Sequence, residues 1–241
     1  TAKAYVEKLY RFFVKSEWDE NIQNDIIYPL AQQLMSNNYE MLPIVTTLLS
    51  SQHFYDSDDS NPSDEITGSI VKSPLQLIAT AINNFGFIIP SPIDDLDNYY
   101  RFSMYFLQNA YWPMAGMILF APDTVAGYPA IYQAPDFDRQ WFSSSTILAR
   151  YRMIECLITG RNALGQNGQF GSALNSVSFV ENNITSPQNL NNLINDLAEF
   201  LYPFNIDQDR INYFAELVLD GYPDYYCCLL YTSDAADDET S

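Results

Sequence analysis

Between two helical stretches lies a segment that no long regular element can absorb. From Met117 to Ser143 the chain carries Pro122, Pro129 and Pro135, the turn-forming Val125-Ala-Gly-Tyr-Pro129, and the rings of Phe120, Tyr128, Tyr132, Phe137, Trp141 and Phe142. Proline removes a backbone donor and glycine opens positive φ, so neither a long helix nor a strand can run through it. A helix ends before it near Gly116, and another begins after it near Ser144. Long connections inside compact domains are more often functional than incidental. The rest of the chain reads as the frame that holds this one.

That frame is helical throughout. Tyr5, Leu9, Phe12 and Phe13 mark one face of a first helix, and Ser16 with Asp19 reads as a variant capping box for a second. The second carries Ile22, Ile26, Leu30 and Leu34, with Pro29 inside it predicting a kink or a break. Met41, Val45, Leu48 and Leu49 define a third, running to about Phe54. Ser73-Pro74-Leu75-Gln76 is a helix start with a cap, a first-turn proline and a closing glutamine. It leads into Leu75, Ile78, Ile82 and Phe85 and stops at Gly86. A helix from about Asp94 turns Tyr99, Phe102, Phe106 and Ala110 inward. Ile147, Tyr151, Ile154 and Ile158 predict the next, ending at Gly160. Ser186-Pro187 opens one with Leu190, Leu193, Leu197 and Leu201, and Asp207 caps a last one with Ile211, Phe214 and Val218. Strand alternation is sustained nowhere. The expected fold class is all-α, an irregular multi-helix bundle with one long Pro/Gly/aromatic loop over 117–143.

Residues 1–227 read as a single mostly helical domain, part of a longer protein. Its further connections are an acidic loop at 56–71 and a flexible Gly/Asn-rich one at 161–185. The tail 228–241 resembles translated adapter sequence and is expected to be non-native and disordered. The chain's 241 residues can bury a real core, and 47% hydrophobic with 15% aromatic side chains exclude wholesale disorder. A net charge of −19 repels phosphate backbones and anionic lipid, so nucleic acid is not an expected partner. No apolar run approaches the roughly 20 residues of a membrane span.

Most chemistry fails on residue type. His53 is the one histidine, so a Ser-His-Asp set or an imidazole metal site lacks its parts. Asp56 and Asp58 have the opening spacing of a calcium loop, but Asn61 stands where the turn needs glycine and Thr67 where the bidentate Glu belongs. Gly160 and Gly165 have phosphate-loop spacing, yet Gln166 replaces the lysine. Cys156 and Cys227 form neither a C-x-x-C pair nor a disulfide framework. No cofactor, metal or catalytic residue is expected. The candidate binding residues are Lys72, Asp123, Gly127, Tyr128, Trp141 and Arg150, with Gly127 giving positive φ or close approach and the two rings presenting faces.

Two blocks carry a family likeness. One is Ser51-Gln-His-Phe-Tyr-Asp56 followed by Val71-Lys-Ser-Pro-Leu75. The other is Gly116-Met-Ile-Leu-Phe-Ala-Pro-Asp-Thr-Val-Ala-Gly-Tyr-Pro129, then Trp141 and Leu148-Ala-Arg150. Together they resemble the bacterial family called domain of unknown function 1800, over about Leu42 to Ile158 with weaker support to Gly221. The chain departs from that family's pattern at Met117 for Gln, Ala121 for Pro and Tyr128 for Trp. The resemblance implies the C-terminal portion of a larger helical protein, usually exported to the periplasm or beyond. It also implies a neighbouring sulfatase-like family as a partner, and it supplies no activity. The expectation is a non-catalytic binding or assembly module of the cell envelope, with an envelope glycan or that protein as partner. The alternative is a hydrolase acting on envelope polysaccharide or its substituents through paired carboxylates. A third reading is scaffold alone, packing on a missing half.

Overall fold

A computed structural model of the chain describes residues 1–56, 68–161, 169–170 and 172–221. Among them there is no strand, only isolated bridges at Thr124–Gly127 and Arg161–Gln169. The acidic loop's 57–67, the glycine cluster's 162–168 and the tail 228–241 lie outside the described residues, as does Cys227. The fold is all-α. No described helix is long and apolar enough to cross a membrane. The chain divides into two compact units, Thr1–Leu174 and Asn175–Ser241.

The first unit opens with α1 (Ala2–Phe13), α2 (Glu20–Ile22), a π-helical turn (Gln23–Ile27), α3 (Tyr28–Ser36) and α4 (Met41–Leu49). A 3-10 turn, His53–Tyr55, follows. Asp19, not Ser16, caps α2, taking the Ile22 N–H at 2.9 Å. Pro29 does not break the helix. The turn before it widens instead, with the Tyr28 N–H bonded five residues back to Gln23. A proline ring collides with the carbonyl four residues earlier, and a five-residue turn moves that carbonyl aside. The extra residue also shifts the buried face, which becomes Ile27, Leu30, Ala31 and Leu34, with Ile22 and Ile26 partly covered. On α1 the fully packed stripe is Ala2, Val6 and Tyr10, while Tyr5 and Phe12 face outward. Two apolar stripes run along that helix. The one through Ala2, Val6 and Tyr10 packs with Leu30, Ala31 and Leu34 of α3 in one core.

The second half of this unit holds α5 (Pro74–Phe85), α6 (Leu96–Tyr100), a π-helical run (Arg101–Tyr111), α7 (Trp112–Met114) and α9 (Thr146–Thr159). Between α7 and α9 the long connection contains α8 (Pro129–Tyr132) and a 3-10 turn, Phe137–Trp141. Ser73 and Gln76 close the expected capping box, and Gly86 ends α5 at φ 65°. The π run again stops just before a proline, Pro113, with the Trp112 N–H bonded back to Leu107. It feeds an aromatic core in which Phe106 lies within 5.1–6.1 Å of Phe102, Phe170 and Tyr111. Against it α9 lays Ala149, Met153, Cys156 and Leu157, nearly opposite the expected stripe; Tyr151 is exposed.

In the second unit, α10 (Ser176–Asn183), α11 (Leu190–Leu201) and α12 (Gln208–Leu219) are capped by Asn175, Asn189 and Asp207. The cap of α11 is therefore Asn189, three residues past Ser186. Leu190, Ile194, Ile211 and Leu219 make its core.

Candidate functional site

The loop between α7 and α9 has a core of its own. Met117, Ala130 and Trp141 are buried together, with Val71, Leu119 and Tyr128 packed partly against them. Trp141 is 6% exposed and plugs the loop from inside. Its ring lies 5.9 Å from that of Tyr128, tilted by 56°, and the Tyr128 hydroxyl donates to the Ile118 carbonyl. Gly127 sits at φ 107°, and a Cβ there would meet open space, so backbone conformation is what selects glycine. The turn closes by the Gly127 N–H to Thr124 at 3.1 Å, while the Thr124 hydroxyl donates back to the Gly127 carbonyl at 2.8 Å.

Three side chains then tie the loop and its flanks to one extended strip, Val71–Pro74. Asp138 accepts the Val71 N–H at 2.7 Å. Arg150 donates through Nη2 to the Lys72 carbonyl at 2.7 Å and through Nε to the Trp141 carbonyl at 3.2 Å. Tyr111 donates its hydroxyl to the Pro74 carbonyl at 2.9 Å. Val71–Ser73 has no regular structure of its own before α5 opens at Pro74, so the Val71 N–H and the Lys72 carbonyl find side-chain partners instead of helical ones. Burial pulls the Arg150 guanidinium below its ordinary value, with Tyr111 opposing. It pushes the Tyr111 phenol well above its ordinary value, with the Arg150 charge opposing.

On its other side the loop leans on the first helices. The Arg11 guanidinium stacks 3.8 Å over the Phe137 ring, and Arg139 pairs with Glu17 at 3.0 Å. Phe137 holds φ 39°.

The structure thus brings together Tyr128, Trp141, Arg150 and the backbone of Lys72. The Lys72 side chain is exposed, and only its carbonyl takes part. Asp123 is exposed in the turn and has no ion pair among the described residues. Sequence reasoning missed Asp138 and Tyr111, whose partners lie 67 and 37 residues away. Nothing local marks them. It also missed Phe120, 98% exposed at φ 61°, an outward-pointing ring on a backbone that disfavours any side chain. That combination shows only in three dimensions.

A helical frame holding one strapped, aromatic-rich loop defines an all-α protein. The chain belongs to the family described as protein of unknown function (DUF1800), which matches residues 1–223. Neither the curated proteins nor the solved structures compared with it yield a match.

Proposed function

We propose that the chain is a non-catalytic binding or assembly module of the cell envelope, and that the loop 117–143 is its working surface. The observation that carries this reading is the contrast inside the loop. Trp141, Met117 and Ala130 are buried and its flanks are strapped to Val71–Pro74, while Phe120, Val125 and Ile131 stand in solvent. Burying an inner plug while holding a strained, fully exposed phenylalanine outward gives up stability at the tip. Apolar side chains presented on a pre-shaped loop lose little entropy when a partner covers them. The most exposed of the loop's large apolar side chains are aliphatic and phenyl, which favours a protein partner over a glycan. The envelope location rests on the family's usual export.

The hydrolase reading needs two carboxylates facing each other across a pocket. A described cleft of about 240 Å³ in the first unit has Asp25 as the one carboxylate of its lining. That reading draws no support here.

The test is a Phe120→Ser, Val125→Ser, Ile131→Ser triple variant of the full-length protein. Those side chains are exposed, so the thermal midpoint should stay within about 2 °C of wild type. Co-purification of the partner recovered with wild type from envelope fractions should be lost. Unchanged recovery with an intact fold would remove the loop tip from the interface.

A further inference from the structure

A second site lies away from the loop, within the first unit. A cleft of about 240 Å³ opens between the π-helical turn with α3 on one side and the end of α4 on the other. Its apolar lining is Ile26, Pro29, Leu30 and Leu48. The widened turn at Gln23–Ile27 and the proline after it shape one wall, and such turns recur at ligand sites.

The charge of the lining is one-sided, with Asp25 as its one carboxylate and no Lys or Arg in it. The Thr47 hydroxyl donates to the Pro43 carbonyl at 2.9 Å and the Ser51 hydroxyl to the Leu48 carbonyl at 2.7 Å. Gln33 gives one amide hydrogen to Thr47 Oγ1 at 3.3 Å, which leaves its second hydrogen as a donor and its Oε1 as an acceptor. The ring nitrogen Nε2 of His53 is engaged with the Tyr10 hydroxyl at 2.8 Å. The hydroxyl hydrogens are used on backbone carbonyls of α4, while the Asp25 carboxylate and the Gln33 oxygen can accept. Asp25 is the one charged group of the lining, in a chain of net charge −19.

We propose that this cleft binds a small primary amine on an apolar body. The ammonium would sit at Asp25 and Gln33, and the body would lie on Ile26, Leu30 and Leu48. An anion would meet a carboxylate, with no Lys or Arg in the cleft's lining to offset it. A neutral apolar molecule would leave the acceptors without donors. The volume falls below the ~300 Å³ at which drug-sized pockets begin, so the ligand is fragment-sized.

His53 is the chain's single histidine, so its Hε1 proton resonance reports this cleft without assignment. The experiment titrates hexylammonium into the full chain at fixed pH and follows that resonance, with hexanol as the neutral control. A saturable shift with hexylammonium and a much weaker one with hexanol supports the site. Asp25→Asn should weaken hexylammonium binding about threefold, the size expected for one exposed charge pair. Thr47→Phe, which puts a ring into the cleft from an exposed helical position, should abolish the shift while the fold is kept. An unmoved His53 resonance, or equal shifts from hexanol, overturns the proposal. A blocked lysine peptide that binds more tightly than hexylammonium reassigns the cleft to a partner protein's side chain and overturns the free-amine assignment.

Discussion

Arg150 reaches the backbone carbonyl of Lys72, 78 residues earlier in the chain, at 2.7 Å. The same guanidinium holds the Trp141 carbonyl at 3.2 Å, so one side chain joins α9, the end of the loop and the strip before α5. Two donors set at a fixed angle are what arginine offers and lysine does not. The Arg150→Lys variant should therefore lose one bond outright. We expect unit 1 to lose about 2 kcal/mol in urea unfolding, the mid-range for a hydrogen bond from a charged group. A loss under about 0.5 kcal/mol would mean that the strap is ornamental.

Tyr111 makes the alkaline limit of the fold specific. Burial raises its phenol in the folded chain, so the folded state keeps the proton that the unfolded state releases above about pH 10. A group whose folded pKa is raised stabilises fully below its unfolded value and less as pH climbs past it. Stability should fall above pH 10 by up to about 1.4 kcal/mol per pH unit from this residue. Tyr111→Phe should flatten that slope relative to wild type, while costing stability at neutral pH through the lost bond to Pro74. Parallel pH profiles for the two proteins would show that the hydroxyl is not desolvated.

Phe120 separates stability from function. Its φ of 61° suits asparagine better than phenylalanine, and at 98% exposure its ring packs on nothing to be lost. Phe120→Asn should raise stability by about 0.5–1 kcal/mol in thermal unfolding. A destabilised variant would show that the ring packs on something in solution.

Two glycines should respond differently to alanine. At Gly127 an added Cβ meets open space, so Gly127→Ala pays only for positive φ, about 1–2 kcal/mol. At Gly160, φ is 65° and the Cβ would fall 2.6 Å from the Ser172 carbonyl oxygen. Gly160→Ala should cost clearly more, because backbone as well as conformation must give. Equal losses in paired denaturant titrations would contradict this geometry.

The legible parts of the fold are those settled within four residues of chain. Ser73 and Gln76 satisfy each other's end of α5, Asp207 takes the Arg210 N–H at 2.8 Å, and Gly86 and Gly160 turn left-handed where their helices stop. The buried faces were less legible. On α1 and α9 apolar residues lie on more than one side, and periodicity cannot choose among them. On the second helix Leu30 and Leu34 are buried as their spacing predicts and Ile22 and Ile26 pack partly against them, while the wide turn before Pro29 brings Ile27 and Ala31 onto the buried face as well.

The candidate site divides the same way. Gly127, Tyr128, Trp141 and Arg150 stood out because turn chemistry, rings and a cation in a proline-rich segment are local facts. What each one does depends on partners far along the chain. Trp141 faces inward because Met117 and Ala130 fold back over it, and Arg150 binds carbonyls because Val71–Pro74 runs past it without a ladder of its own. Asp138 and Tyr111 acquired their roles only when that strip came within hydrogen-bond reach.

By itself, then, the sequence determined an all-α chain, its helix caps and stops, and an irregular segment between two of its helices. Each of these follows from bonds a residue makes with its own neighbours. Tertiary structure alone decided which stripes are buried, which rings are hidden or displayed, and which backbone groups the loop must satisfy. Those outcomes depend on desolvating groups 37 to 78 residues apart at once, and no local pattern encodes that.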